Sequence, residues 1–266
     1  MSRAAAFFVR DLRLALAYPL DFWMQWVGVA TAVLTAWGVS RLVPPSVALG
    51  FGGAHGSYFS YVVINMAFFT VMATAMGCFQ RAIRGDQMLG TLEAMLVTPT
   101  RLATVVLATS LWPFAQTLLR VACYVGLGAL LFGLQIGHAD VPAVLLFLLL
   151  IVASSAPIGV LSAAAIVRYK QVAPSDFLVG GAASLLGGVM FPVALLPGPL
   201  RDISWMLPVT HGLNGMRAAI AGATLPQLRG DATWLLAASA ILMPIALVVF
   251  KRSVEAARRD GTLGHY

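Results

Sequence analysis

Six stretches of this chain, each long enough to cross a membrane as a helix, run free of charged residues and histidine, with a single interruption. They are Phe22 to Ser40, Gly56 to Gln80, Leu102 to Gly137 (broken once, by Arg120), Val141 to Val167, Phe177 to Leu200 and Ala232 to Phe250. About 20 helical residues cross a hydrocarbon core of about 30 Å. The strict apolar/polar alternation of a membrane barrel is absent, so the stretches are expected to be helices whose backbone groups bond within each segment. A soluble surface needs about a quarter of charged residues, whereas here 10% are charged, 60% are hydrophobic and the mean hydropathy is +0.88. The net charge of +7 does not point to nucleic acid, because the basic residues are spread between apolar blocks instead of forming one stripe. Cys78 and Cys123 lie inside apolar blocks and offer neither a disulfide framework nor a metal spacing. No cleaved signal peptide is expected.

The third stretch could be one long helix or a hairpin turning at Arg120, and the distribution of Lys and Arg arbitrates. With six spans and a cytoplasmic N-terminus, twelve basic residues fall inside and four outside. A hairpin at Arg120 leaves nine against eight, which is no bias. The expected architecture is therefore a single all-α integral membrane domain over 1–266 with both termini cytoplasmic. Its spans are placed at about 22–40, 57–80, 102–134, 141–167, 177–197 and 232–250. Ahead of them, residues 1–19 read as an interfacial helix, with Phe8, Val9, Leu12 and Leu16 on one side and Arg3, Arg10 and Arg13 on the other.

Chemistry is sparse. Acid, base, nucleophile or metal groups do not cluster inside the spans, no GxxxxGK[ST] phosphate loop occurs, and an enzyme reading is weak. Among the His55, His138, His211 and His265 positions, none has metal-ligand spacing. The inner loop between the second and third spans is more informative. From Asp86 it has helical periodicity, with Met88, Leu89, Leu92, Met95 and Leu96 on one face, Asp86 and Glu93 on an adjoining stripe, and Pro99 ending it. Such a helix either rests on lipid or inserts its apolar ridge into a groove on a soluble partner.

Two motifs resemble a family. Gly90-Thr91-Leu92-Glu93-Ala94-Met95-Leu96-Val97-Thr98-Pro99 is similar to the GTLE-x-L-L-x-T-P segment in the inner loop of type 2 ABC exporter permeases. Phe191-Pro192, Leu196-Pro197, Leu207-Pro208-Val209-Thr210-His211 and Arg217 are similar to that family's FP, LP, LP-x-TH and R sequence between the last two spans. The family commonly has a carboxylate two residues before the motif glycine, where this chain has Met88, leaving Asp86 and Glu93 as the acidic pair.

The resemblance implies a permease exporting an amphipathic substrate (drug, lipid or lipid-linked glycan) across the cell inner membrane. It would work as a pair of identical subunits with two copies of a separate ATP-binding subunit, in contact with membrane lipid. ATP and magnesium would belong to that partner, this chain binding no cofactor. Residues 86–97 would be the coupling helix, with Asp86, Leu89, Gly90, Thr91, Leu92, Glu93, Leu96 and Pro99 carrying contact to the ATPase. Residues 198–231 would supply short re-entrant helices between spans five and six. Arg120, Phe191, Pro192, Pro208, His211 and Arg217 are candidates for the pathway or outer gate. From the residues alone, His211 either caps its turn or forms a site, and Arg120 either reaches the headgroups or lies deep as a substrate contact. Gly180, Ser184 and Gly188 recur every fourth position in the fifth stretch and read as a helix-packing stripe. Trp23, Trp26, Trp37, Tyr58, Phe59 and Tyr61 read as interface aromatics. A self-sufficient secondary transporter or channel is the alternative, but the intramembrane acids and inverted repeats typical of that class are missing.

Overall fold

The computed structural model describes residues 19–44, 58–88, 102–133, 139–169 and 181–259, together with positions 9, 12, 13 and 17. Every regular element among the described residues is helical. In chain order they are α1 (Pro19–Leu42), α2 (Tyr58–Met88), α3 (Leu102–Phe132), α4 (Val141–Tyr169), the short α5 (Ala183–Leu186), a 3-10 turn (Val193–Leu195), α6 (Gly198–Met206), α7 (Pro208–Ile220) and α8 (Arg229–Arg259).

Four of these helices, α2, α3, α4 and α8, are long and apolar enough to cross a membrane. The expected spans at 57–80, 102–134, 141–167 and 232–250 each fall on one of them. Arg120 lies within α3, which continues unbroken past it, so the chain makes no hairpin there. The first expected span falls on α1, 24 residues long, whose Gln25, Thr31 and Thr35 dilute its apolar character. The two threonine hydroxyls donate to backbone carbonyls one turn back, Thr31 to Val27 and Thr35 to Thr31, both at 2.8 Å.

The fifth expected span requires correction. Residues 171–180 lie outside the described part, and the described remainder is helical only over 181–186. Gly188 then takes φ +76, a left-handed conformation that glycine adopts without a Cβ clash, and Pro192 at ψ 137 starts the 3-10 turn. A helix continuous to 197 is thereby excluded. Of the stripe Gly180, Ser184 and Gly188, the first lies outside the described residues, Ser184 is in α5 and Gly188 sits in the turn. The segment 198–231 holds two short helices, α6 and α7, before α8 begins.

α4 is the hub, packing on α8, α2 and α7. Lipid is as apolar as leucine, so helices in a bilayer gain little from the hydrophobic effect and associate through close packing. Gly159 of α4 lies against the α2 backbone, where a Cβ would overlap the Met76 carbonyl oxygen. On α7, Gly215 leaves room for the ring of Phe147 and Gly212 for Ile151, both on α4. Asp140 caps α4 by accepting from the Ala143 N–H at 3.1 Å, while its own N–H donates to the Ala219 carbonyl at the end of α7 at 3.0 Å. The result is a buried centre and an exposed periphery: 72% of the apolar window of α2 is buried, against 11% in α3 and 17% in α8. Phe59 and Tyr61, read from the sequence as interface aromatics, belong to the centre, whereas Trp23 is exposed.

Candidate functional site

Of the proposed coupling segment, only its start is visible. Asp86 lies within α2, whose helix runs through Met88, so the chain does not begin a separate helix there. Leu89, Gly90, Thr91, Leu92, Glu93, Leu96 and Pro99 lie outside the described residues.

The second group of candidates assembles around α6 and α7. Leu207, with φ −85 and ψ 133, breaks the helix between them, and Pro208 at the first turn of α7 supplies a φ suited to helix initiation and no N–H to strand. Thr210 Oγ1 donates to the Ser204 carbonyl at 2.6 Å, and Ser204 Oγ donates to the Leu186 carbonyl at the end of α5. Phe191 packs against the main apolar cluster beside the turn. Three short elements are thus tied together by hydroxyls whose alternative would be unsatisfied backbone in an apolar setting.

His211 joins this assembly to α8. Its Nδ1 lies 2.6 Å from Asp231 Oδ1 and its Nε2 lies 2.8 Å from the Trp205 carbonyl oxygen. Asp231 and the Trp205 carbonyl each set an oxygen acceptor against a ring nitrogen, an arrangement that favours the doubly protonated imidazole. It stacks on Trp234 with centroids 4.4 Å apart and 20° between planes, and Trp205 stands at 5.5 Å. Burial pushes the His211 pKa down, but the hydrogen bonds to Asp231 and the Trp205 carbonyl, with the Asp231 charge, outweigh it and hold it above the ordinary 6.5. The structural role weighed for His211 is therefore a doubly bonded clasp.

Arg217, on the same helix, serves a different neighbour. Its guanidinium donates to the Leu213 carbonyl at 3.2 Å and to Asn214 Oδ1, and lies 4.7 Å from the ring centroid of Tyr61 on α2. Tyr61 OH in turn donates to the Gly188 carbonyl at 2.7 Å, and Asn65 Nδ2 donates to the carbonyls of Gly188 and Val189, both at 3.2 Å. Asn65 was absent from the sequence expectations. The signal that could have found it is an amide one helical turn after a tyrosine inside an otherwise apolar span.

Arg120 does not join this cluster. Its guanidinium donates to Gln25 Oε1 on α1, within charge-interaction range of Arg81. The six candidates for pathway or gate therefore divide, with five around α5 to α7 and Arg120 elsewhere.

The described residues thus combine four helices long and apolar enough to cross a membrane with two short helices, α6 and α7, and no cluster of metal-ligating groups. The ABC-2 type transporter profile matches residues 14–221, from ahead of α1 to the end of α7. The chain belongs to the ABC-2 type transporter family. That family's membrane domain is a permease component rather than a catalyst, and its members typically work with an ATP-binding subunit. A comparison with characterised proteins finds no significant match. In this ABC-2 permease α8 lies beyond the matched region, yet packs on α4 through Ala246, Phe250, Val254 and Ala257.

Proposed function

We propose that this ABC-2 permease is the membrane subunit of an ATP-driven exporter, acting as a homodimer with two separate ATP-binding subunits. ATP and its magnesium ion are held by those partners and this chain binds no cofactor. The substrate is amphipathic, the membrane is the cell inner membrane, both termini are cytoplasmic, and residues 86–97 couple the two kinds of subunit. The observation that carries the reading is the family match over residues 14–221, joined to four long apolar helices. The extension of α2 to Met88, two turns past Gln80, supports it by carrying Asp86 beyond the apolar span toward a soluble partner. The twelve-to-four bias of basic residues supports the orientation.

The decisive experiment is copurification. Purified alone, the chain should hydrolyse no ATP; co-expressed with its ATPase, it should bring that subunit down. Leu92→Asp or Leu96→Asp places a carboxylate in the proposed apolar contact and should abolish copurification without affecting insertion, because burying an unpaired charge costs several kcal/mol. Glu93→Ala should leave assembly intact and weaken ATPase stimulation by substrate. Normal assembly and transport in Leu92→Asp would reduce the segment to a helix resting on lipid. A reporter within 135–140 should be external, and one after Tyr266 cytoplasmic.

A further inference from the structure

Arg120 is half-buried inside a helix that crosses the membrane, yet its described hydrogen-bond partner is a neutral amide oxygen. Phe132 ends α3 about 18 Å further on by helix rise, and Gln25 lies about 9 Å along α1 from Pro19. Helical side chains lean toward the N-terminus of their helix, so Arg120 leans toward the end of the bundle where α1 begins. Arg81 comes from that end on α2 and leans the opposite way, its guanidinium occupying the space a side chain at Gly77 would fill. The Arg81 side chain, though exposed, thus folds back along its own helix over Gly77, within charge-interaction range of Arg120. Among the described residues no carboxylate pairs with either arginine, so guanidinium N–H groups are left over for a further acceptor.

The donors left over are specific in kind. A guanidinium presents five N–H groups in a planar fork, and Arg120 directs one of its terminal nitrogens to Gln25. Gln25 accepts with its oxygen, which leaves its amide nitrogen as a further donor on the same side. Arg81 adds a second fork. Forks of this type match the oxygens of a phosphate in pairs. On α1, Leu20, Trp23 and Met24 are exposed beside Gln25, an apolar and aromatic surface along which acyl chains could lie.

We propose that Arg81, Arg120 and Gln25, where α1, α2 and α3 meet, form a binding site for the phosphate group of an anionic amphiphile. The site rests on the membrane setting of these helices and not on partnership with an ATPase. Two sources share this chemistry, a lipid of the bilayer and a water-soluble phosphate, and competition separates them.

The test uses the purified full chain alone in a non-ionic detergent, titrated with dioleoylphosphatidylglycerol and, separately, dioleoylphosphatidylcholine, with bound lipid counted by native mass spectrometry. The wild-type chain should prefer the anionic lipid by tenfold or more. Arg120→Gln and Arg81→Gln should each lower that preference about tenfold, as loss of charge-assisted hydrogen bonds requires. Arg120→Lys should keep part of it, because the charge remains and the fork is lost. Arg41→Gln, at the other end of α1 where Arg41 lies over Trp37, should change nothing. Displacement of the anionic lipid by millimolar inorganic phosphate would assign the site to a soluble phosphate, and resistance to displacement would assign it to the lipid. Equal binding of both lipids by the wild-type chain, or a preference surviving in the exposed Arg81→Gln and in Arg120→Gln, would overturn the proposal. Since no ATPase is present, failure here leaves the exporter reading standing, and failure of copurification leaves the site standing.

Discussion

The bundle carries two polar clusters, and they differ in how their charge is balanced. Around His211, each ring nitrogen meets an oxygen acceptor, one of them the Asp231 carboxylate, and two indoles flank the ring. Around Arg120, the guanidinium has a neutral glutamine as its described partner and a second cation, Arg81, within charge-interaction range. The first cluster is complete within the protein and holds α6, α7 and α8 as one piece. The second has more donors than the described residues can satisfy, so its stability should depend on what enters it. A buried charge stabilises structure only when its partner is present, and among the described residues His211 has a carboxylate partner while Arg120 has a neutral amide.

Disruption of the complete cluster should be most severe through its packing. Gly215→Leu would drive a side chain into the Phe147 ring and unseat α7 from α4, lowering stability by about 3 kcal/mol or more and leaving little folded protein on size exclusion. Asp231→Ala removes the counter-charge of a partly exposed pair and should cost about 1–2 kcal/mol, read as a lowered melting temperature. Replacing Gln25 by Leu, the corresponding change at the other cluster, should cost well under about 1 kcal/mol, since the Arg120 guanidinium loses one neutral acceptor and can be solvated or bind an anion. A loss as large as that of Asp231→Ala would erase the contrast between the two clusters.

Acidity offers a gentler probe. The folded His211 pKa is raised above the ordinary 6.5, so the stabilisation is fully present below pH 6.5 and is lost as pH rises through the raised folded value. Fluorescence from Trp205 and Trp234 should change over that window in the wild-type chain. In His211→Gln the change should vanish, while Gln25→Leu should leave it untouched. Tyr61→Phe should also be mild: the Gly188 carbonyl keeps Asn65 as donor, so about 0.5–1 kcal/mol should be lost in a thermal melt.

Legibility from sequence followed the length scale of each feature. Uninterrupted apolar length located the four long helices, because a bilayer leaves few alternatives to a helix for about 20 apolar residues. The same criterion misplaced the end of the fifth stretch. Hydropathy does not register that Gly188 turns the backbone left-handed, or that Tyr61 and Asn65, 120 and more positions away in the chain, supply the donors that hold the turn. Phe59 and Tyr61 look like interface aromatics because composition carries no information about which face of α2 meets α4 and α7. Proline and the Leu207-Pro208 break marked the start of α7 in the sequence, since proline acts locally on its own φ and N–H.

The sequence by itself determined that the chain is a helical membrane protein, where its longest helices run, and that clustered catalytic chemistry is missing from its spans. These follow from local composition and from a solvent that tolerates little else. Tertiary structure alone decided that His211 meets Asp231, that Arg217 covers Tyr61, and that Arg120 meets Gln25 and faces Arg81. Whether a buried charge is paired depends on residues brought from distant helices, and their approach is set by small side chains such as Gly159 and Gly215 at the contacts, which a hydropathy profile does not distinguish from any other apolar position.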